Sequence, residues 1–176
     1  MTPGPARPGP EESGARPVPF DDLLLLVGRL NYAWTNTESL LVHLIAGLAG
    51  TDDETATVVF LTLSGTRARL DLVERLAKLD RVAPERRERI LALTARLGRL
   101  SGLRNRYSHC IYSFDQQGAA ARTILMRIAD RKDRIKMGQV TDIDHSTVRE
   151  IEEAIEALGA LNVAIWQAIK EFAPRA

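Results

Sequence analysis

The sequence predicts an all-α protein: a four-helix up-and-down bundle with a short β-hairpin inserted between the third and fourth helices. Three observations carry that expectation. Four long stretches repeat apolar residues at spacings of three and four, the period of a helix with one buried face. Proline, glycine and acidic residues fall between those stretches, where helices start and stop. A single interval, between the third and fourth stretches, abandons that period for two short runs of partial alternation.

Residues 1–19 hold six of the eight prolines and three glycines and have no apolar core, so they are expected to form a disordered tail. The domain is expected over residues 20–174. Its first helix starts at Phe20, with Leu24, Val27, Trp34, Leu41, Ile45 and Leu48 in its stripe, and stops near Gly47 to Gly50. The acids of "TDDE" open a second helix that runs to the neighbourhood of Val82, with Ser64 and Gly65 as an interruption or bend. Pro84 suits the first turn of the third, whose stripe continues through Leu97, Leu100, Arg104, Tyr107, Ile111 and Phe114. "RTILMRI" and "RIKMGQV" form the hairpin, at about residues 122–140. The fourth helix opens near Asp144 to Ser146 and reaches Phe172.

Composition narrows the function. At 176 residues the chain accommodates one domain with a real core. A net charge of +1 gives no global field to draw in nucleic acid or an anionic membrane, and no apolar run is long enough to span a bilayer. No secretory leader is evident, and a single cysteine suits a reducing compartment, so a cytoplasmic protein is expected. His43, His109 and His145 lie far apart, without CxxC or HExxH spacing, so neither a metal nor another cofactor is expected. His43 and His145 read as surface or helix-end residues, and Cys110 as a small buried one.

Two charges interrupt the apolar stripes: Glu38 in the first helix and Arg104 in the third. Each would bring a charge into a low-dielectric interior, at a cost of several kcal/mol unless it is paired. The two are expected to meet as carboxylate and guanidinium. Tyr107, one turn beyond Arg104, is expected in the core with its hydroxyl at the rim. Asn105 and His109 are an i,i+4 pair on one face. Arg104 and His109, five residues apart, stand about 140° around a straight helix. Their convergence needs a helix end near His109, or a second copy of the motif. The face with Asn105 also holds Thr94, Gly98 and Ser101, small residues that would admit another helix. A C2 homodimer through that face is one reading, and packing within one chain is the other.

The stretch "RNRYSH", with Arg104, Asn105 and His109, resembles the motif of the HEPN superfamily: arginine, a polar residue, then histidine near a helix end in a four-helix bundle. The resemblance implies a metal-independent endoribonuclease that works at a homodimer cleft and leaves 2′,3′-cyclic phosphate ends. Arg104, Asn105 and His109 would be its catalytic residues, supported by Glu38, Tyr107 and Tyr112. Some family members carry tyrosine two residues after the histidine; here that position is Ile111 and Tyr112 follows. RNA contacts are expected from Arg106 and from the hairpin, at Arg127, Arg131, Lys132, Arg134 and Lys136. Between Arg122 and Lys136 six cations outnumber two acids. Such a protein would serve as a toxin or defence component, with a cognate antitoxin or other protein as partner. The alternative is a non-catalytic HEPN-like module that binds RNA, a nucleotide or a protein, with Arg104 and Glu38 structural.

Overall fold

The computed structural model describes residues 18–114, 121–131 and 133–172. Most of the expected tail therefore lies outside the described residues. The fold is mainly helical with a small antiparallel sheet: α1 (Phe20–Ser39), α2 (Leu41–Ala49), α3 (Asp53–Thr62), α4 (Thr66–Ala77), α5 (Pro84–Ser108), β1 (Cys110–Phe114), β2 (Ala121–Arg131), β3 (Arg134–Asp142) and α6 (His145–Lys170). Its core is drawn from all six helices and includes Trp34, Leu44, Ala56, Val73, Ile90 and Leu158.

Three expected elements change form. The first helix is interrupted at Leu40, whose N–H turns back to Thr37, and α2 then continues to Gly50, which caps it at φ 70°. Gly47 is not the stop. It admits the ring of Phe172, which would lie 2.4 Å from a β-carbon there. The second helix breaks at residues 63–65 instead of bending, because Leu63 adopts an extended conformation and Gly65 opens α4 anew. The third ends at Ser108, so Ile111 and Phe114 belong to a strand instead of a helical stripe. That short β-branched and aromatic run fits both periods until a pairing partner is known. The partner is β2, which matches Ile111 with Ile124 and Tyr112 with Thr123, so the expected hairpin becomes the β2–β3 part of a three-stranded sheet in the order β1-β2-β3.

Capping follows the chemistry of the connections. Asp52 accepts from the Thr55 N–H at 2.7 Å to start α3, and Pro84 occupies the first turn of α5. Asp144 and Thr147 exchange hydrogen bonds as a capping box at the start of α6. Helix directions follow from cross-links. Asn31 meets Ser108 and Leu48 meets Arg81, which sets α1 and α2 antiparallel to α5. Arg106 with Glu150 and Arg89 with Glu171 set α5 antiparallel to α6. Hence α1, continued by α2, runs parallel to α6, as the links of Thr37 to Leu158 and of His43 on α2 to Trp166 require. The expected up-and-down order of four helices would set the first and last antiparallel, and the break of the second stretch into α3 and α4 is what changes the alternation. The end of α5 and the starts of α1 and α6 are gathered at the end of the molecule that carries the sheet.

Candidate functional site

The expected pairing of Glu38 with Arg104 does not occur. Glu38, 8% exposed, accepts a short hydrogen bond from the Thr66 hydroxyl and pairs with Arg69 at 3.2 Å. Both partners stand on the first turn of α4, brought in by the break at residues 63–65. Arg69 also donates to the Phe60 carbonyl, and its guanidinium carbon lies 4.0 Å from the Phe60 ring centroid. Glu38 is thus answered by the element that follows the break.

Arg104 has no such answer. Its Nη1 donates to Asn105 Oδ1 at 2.9 Å, and its guanidinium carbon stands 5.7 Å from the Trp34 ring centroid. Its Nε is buried without a hydrogen-bond partner among the described residues, as is Nε1 of Trp34. No carboxylate among the described residues forms an ion pair with it. Asn105 links the motif: its side chain accepts from Arg104, and its backbone carbonyl accepts the His109 N–H at 3.1 Å. His109 lies at the helix end, at φ −126° and ψ 31°, where the chain leaves α5 for β1. The helix end expected near His109 is present, and the side chains of Asn105 and His109 are exposed. A half-buried guanidinium, a carboxamide and an exposed imidazole are therefore set within one turn and its exit.

Next to them the polar groups are paired. The Tyr107 hydroxyl donates to Glu150 Oε2 at 2.9 Å, and burial, followed by the nearby Glu150 carboxylate, pushes its pKa up to about 12. Arg106, expected to contact RNA, is spent on the same Glu150 at 3.1 Å. Tyr112 donates to the Tyr107 carbonyl at 2.8 Å, and burial raises its hydroxyl's pKa well above the phenolic range. It braces β1 against the end of α5. The half-buried Cys110 donates weakly to the same carbonyl. Ser108 donates to Asn31 Oδ1 at 2.8 Å and so ties the motif helix to α1.

Of the cationic hairpin, Arg122 pairs with Asp142 at 2.8 Å. The side chains of Arg127, Arg131, Lys132, Arg134 and Lys136 lie outside those described. The small-residue face of α5 turns partly inward: Thr94 is 2% exposed, and a β-carbon at Gly98 would touch Leu70 of α4 at 3.6 Å. Packing within one chain accounts for this part of the face, while Gly102 and Asn105 stay at the surface. His43 lines a groove between α1 and α6, where its Nδ1 is 3.1 Å from Asp53 and its ring 5.5 Å from that of Trp166.

No protein-family model, curated protein or solved structure matches the chain. No helix among the described residues is long and apolar enough to cross a membrane. Sequence reasoning placed Trp34 in the core stripe and gave Asn31, Trp34 and Glu150 no role beside the motif. Asn31 had a visible signal, being a polar residue in the same stripe as Glu38. Glu150 had none, since its partners come from a helix more than forty residues away.

Proposed function

We propose that the protein is a HEPN-like, metal-independent endoribonuclease whose site is formed by Arg104, Asn105 and His109. The reading includes the four-helix bundle expected of that superfamily, elaborated by α3 and the sheet. One observation supports it best: a half-buried guanidinium with no carboxylate partner among the described residues, beside an exposed histidine. An unpaired cation held by packing is ready for a phosphate. The reaction needs no group the chain lacks. A neutral imidazole takes the proton from the ribose 2′-OH, and that oxygen attacks the adjacent phosphorus. The bond from phosphorus to the 5′-oxygen then breaks, and an imidazolium returns a proton to the leaving oxygen. Arg104 holds the charge that builds on the phosphoryl oxygens, and Asn105 positions both neighbours. Two His109 side chains, one from each subunit, divide the two proton transfers.

The test is cleavage of a mixed RNA pool in EDTA by wild type, His109→Ala and Arg104→Ala, each confirmed folded. Products with 2′,3′-cyclic phosphate ends are expected from wild type, with a loss of at least about a hundredfold in either variant. DNA, which lacks the 2′-OH, remains intact. Equal activity in all three, or none in wild type, leaves the motif to the non-catalytic reading.

A further inference from the structure

Between α1, continued by α2, and the parallel α6 runs a groove of about 680 Å³, which none of Arg104, Asn105 and His109 lines. On α6 its wall is a single stripe at helical spacing, from Ile155 through Gly159 and Asn162 to Trp166, about 16 Å of helix. Tyr32, Asn36 and His43 face it from α1 and α2. Thr37 bonds to Leu158 and Asn162, so Tyr32, earlier on α1, stands at the Ile155 end and Trp166 at the other. Both rings are open: Tyr32 is 73% exposed, and Trp166 is 42% exposed although the His43 ring lies 5.5 Å from it. Between them the wall is low, since a β-carbon at Gly159 meets nothing within 4 Å.

Two carboxamides occupy the middle of the groove and are incompletely used. Asn162 Nδ2 reaches the Asn36 carbonyl and the Thr37 hydroxyl only at 3.4 Å. Neither Asn162 Oδ1 nor the Asn36 side chain makes a hydrogen bond among the described residues. A carboxamide offers both an acceptor and donors, and an extended main chain asks for both, because each of its residues presents an N–H and a C=O. Charge separates a peptide from a nucleic acid here. Arg29 lines the groove, exposed and in no ion pair among the described residues. At the far end His43 is held by the Asp53 carboxylate at 3.1 Å. Single-stranded RNA brings a negative charge with every nucleotide, and here it would meet one arginine and an acid. A peptide with a single acidic side chain brings no such excess.

We propose that this groove binds an extended peptide segment of another protein, in contact over about five residues. An acidic side chain of the segment meets Arg29, and large apolar or aromatic side chains lie on Tyr32 and Trp166. Asn36 and Asn162 hold its main chain, and Gly159 leaves the space in which that chain lies. The proposal is independent of the ribonuclease reading, since the groove and the motif share no residue.

The experiment is selection of random heptapeptides, displayed on phage, on the immobilised full chain. Enriched peptides are then synthesised with a fluorophore and titrated by anisotropy, and circular dichroism confirms that each variant is folded. The enriched sequences are expected to carry an acid and two large apolar or aromatic residues spaced by about five. Gly159→Leu fills the groove where none of the chain's own atoms stand in the way, and should block binding. Asn162→Ala and Trp166→Ala should each weaken it at least about tenfold, while Gly102→Leu on α5 should change nothing. Arg29→Glu should replace the selected acid by a base, a switch that loss of folding cannot imitate. A selection that enriches nothing, or peptides that bind Gly159→Leu as tightly as wild type, overturns the proposal. So does a labelled oligouridylate that binds more tightly than any selected peptide and is lost in Gly159→Leu, which gives the groove to RNA. A fall in sedimenting mass on Gly159→Leu gives it to a second copy of the chain and overturns the proposal as well.

Discussion

Glu38 and Arg104 hold comparable places, each a charge in a mainly apolar helical stripe, and the fold treats them in opposite ways. Around Glu38 the chain supplies a hydroxyl and a guanidinium from the first turn of α4. Around Arg104 the described residues supply one carboxamide, the Trp34 ring and no ion pair, and leave the Nε buried without a partner among them. The cost of taking a charge out of water is the same kind of cost at both places. At the first it is offset inside the chain, and the charge is structural. At the second no ion pair among the described residues offsets it, and on the ribonuclease reading proposed above the charge is kept for a phosphate.

The largest effect expected on stability comes from Glu38→Ala. It leaves the Arg69 guanidinium, whose side chain is 19% exposed, without its carboxylate, and it unties α4 from the end of α1. A loss of about 2–4 kcal/mol is predicted, toward the lower end of what a broken buried pair costs because the pair is not fully desolvated. Urea denaturation measures it. RNA cleavage per folded molecule should be unchanged, because Glu38 has no contact with the motif. A stable variant that cannot cut would erase the contrast between the two charges.

The contrast also marks what the sequence could disclose. Both charges were legible as exceptions to a period, because a 3.6-residue repeat is a local property. Their partners were not, because partner choice depends on a break in the chain. Read as one bent helix, the second stretch would carry Thr66 and Arg69 on without a new start; the extended Leu63 lets α4 begin afresh beside Glu38. The end of α5 shows the same limit. Arg104, Asn105 and His109 stood out as residue types at a spacing, and a helix end near His109 was required by geometry. The strand β1 was not visible, since its assignment rests on pairing with β2 across residues 115–120. The small residues of α5 were equally ambiguous, for helix contact between subunits and within one chain asks for the same side chains.

One turn beyond Arg104, Tyr107→Phe sharpens the comparison. The hydroxyl lost is a paired one, so about 1 kcal/mol is expected, read by thermal or urea denaturation. Its pH dependence has a definite sign. The folded-state pKa of about 12 lies above the usual 10, so the neutral phenol is favoured in the fold. Its contribution is fully present below pH 10 and is lost as pH rises from there through 12. Wild type should lose stability across that window, and Tyr107→Phe should lose less, with Tyr112 left to titrate at higher pH. Identical alkaline profiles would mean that Glu150 does not hold Tyr107 as described.

The smallest stability change, and the most informative, is expected of Arg104→Met. Methionine keeps an unbranched stem against Trp34 and removes a guanidinium that, among the described residues, has no ion-pair partner and one buried donor without an acceptor. Losing the face-on contact costs about 0.5–1 kcal/mol, while relieving an unsatisfied buried donor returns about 1–3 kcal/mol. Losing the hydrogen bond to Asn105 costs about 0.5–1.5 kcal/mol more, so the sum is near zero, the opposite of Glu38→Ala. Cleavage of RNA should nevertheless disappear. A loss of several kcal/mol instead would show that Arg104 is answered within the fold after all, as Glu38 is, and the unpaired cation on which the ribonuclease reading depends would be gone.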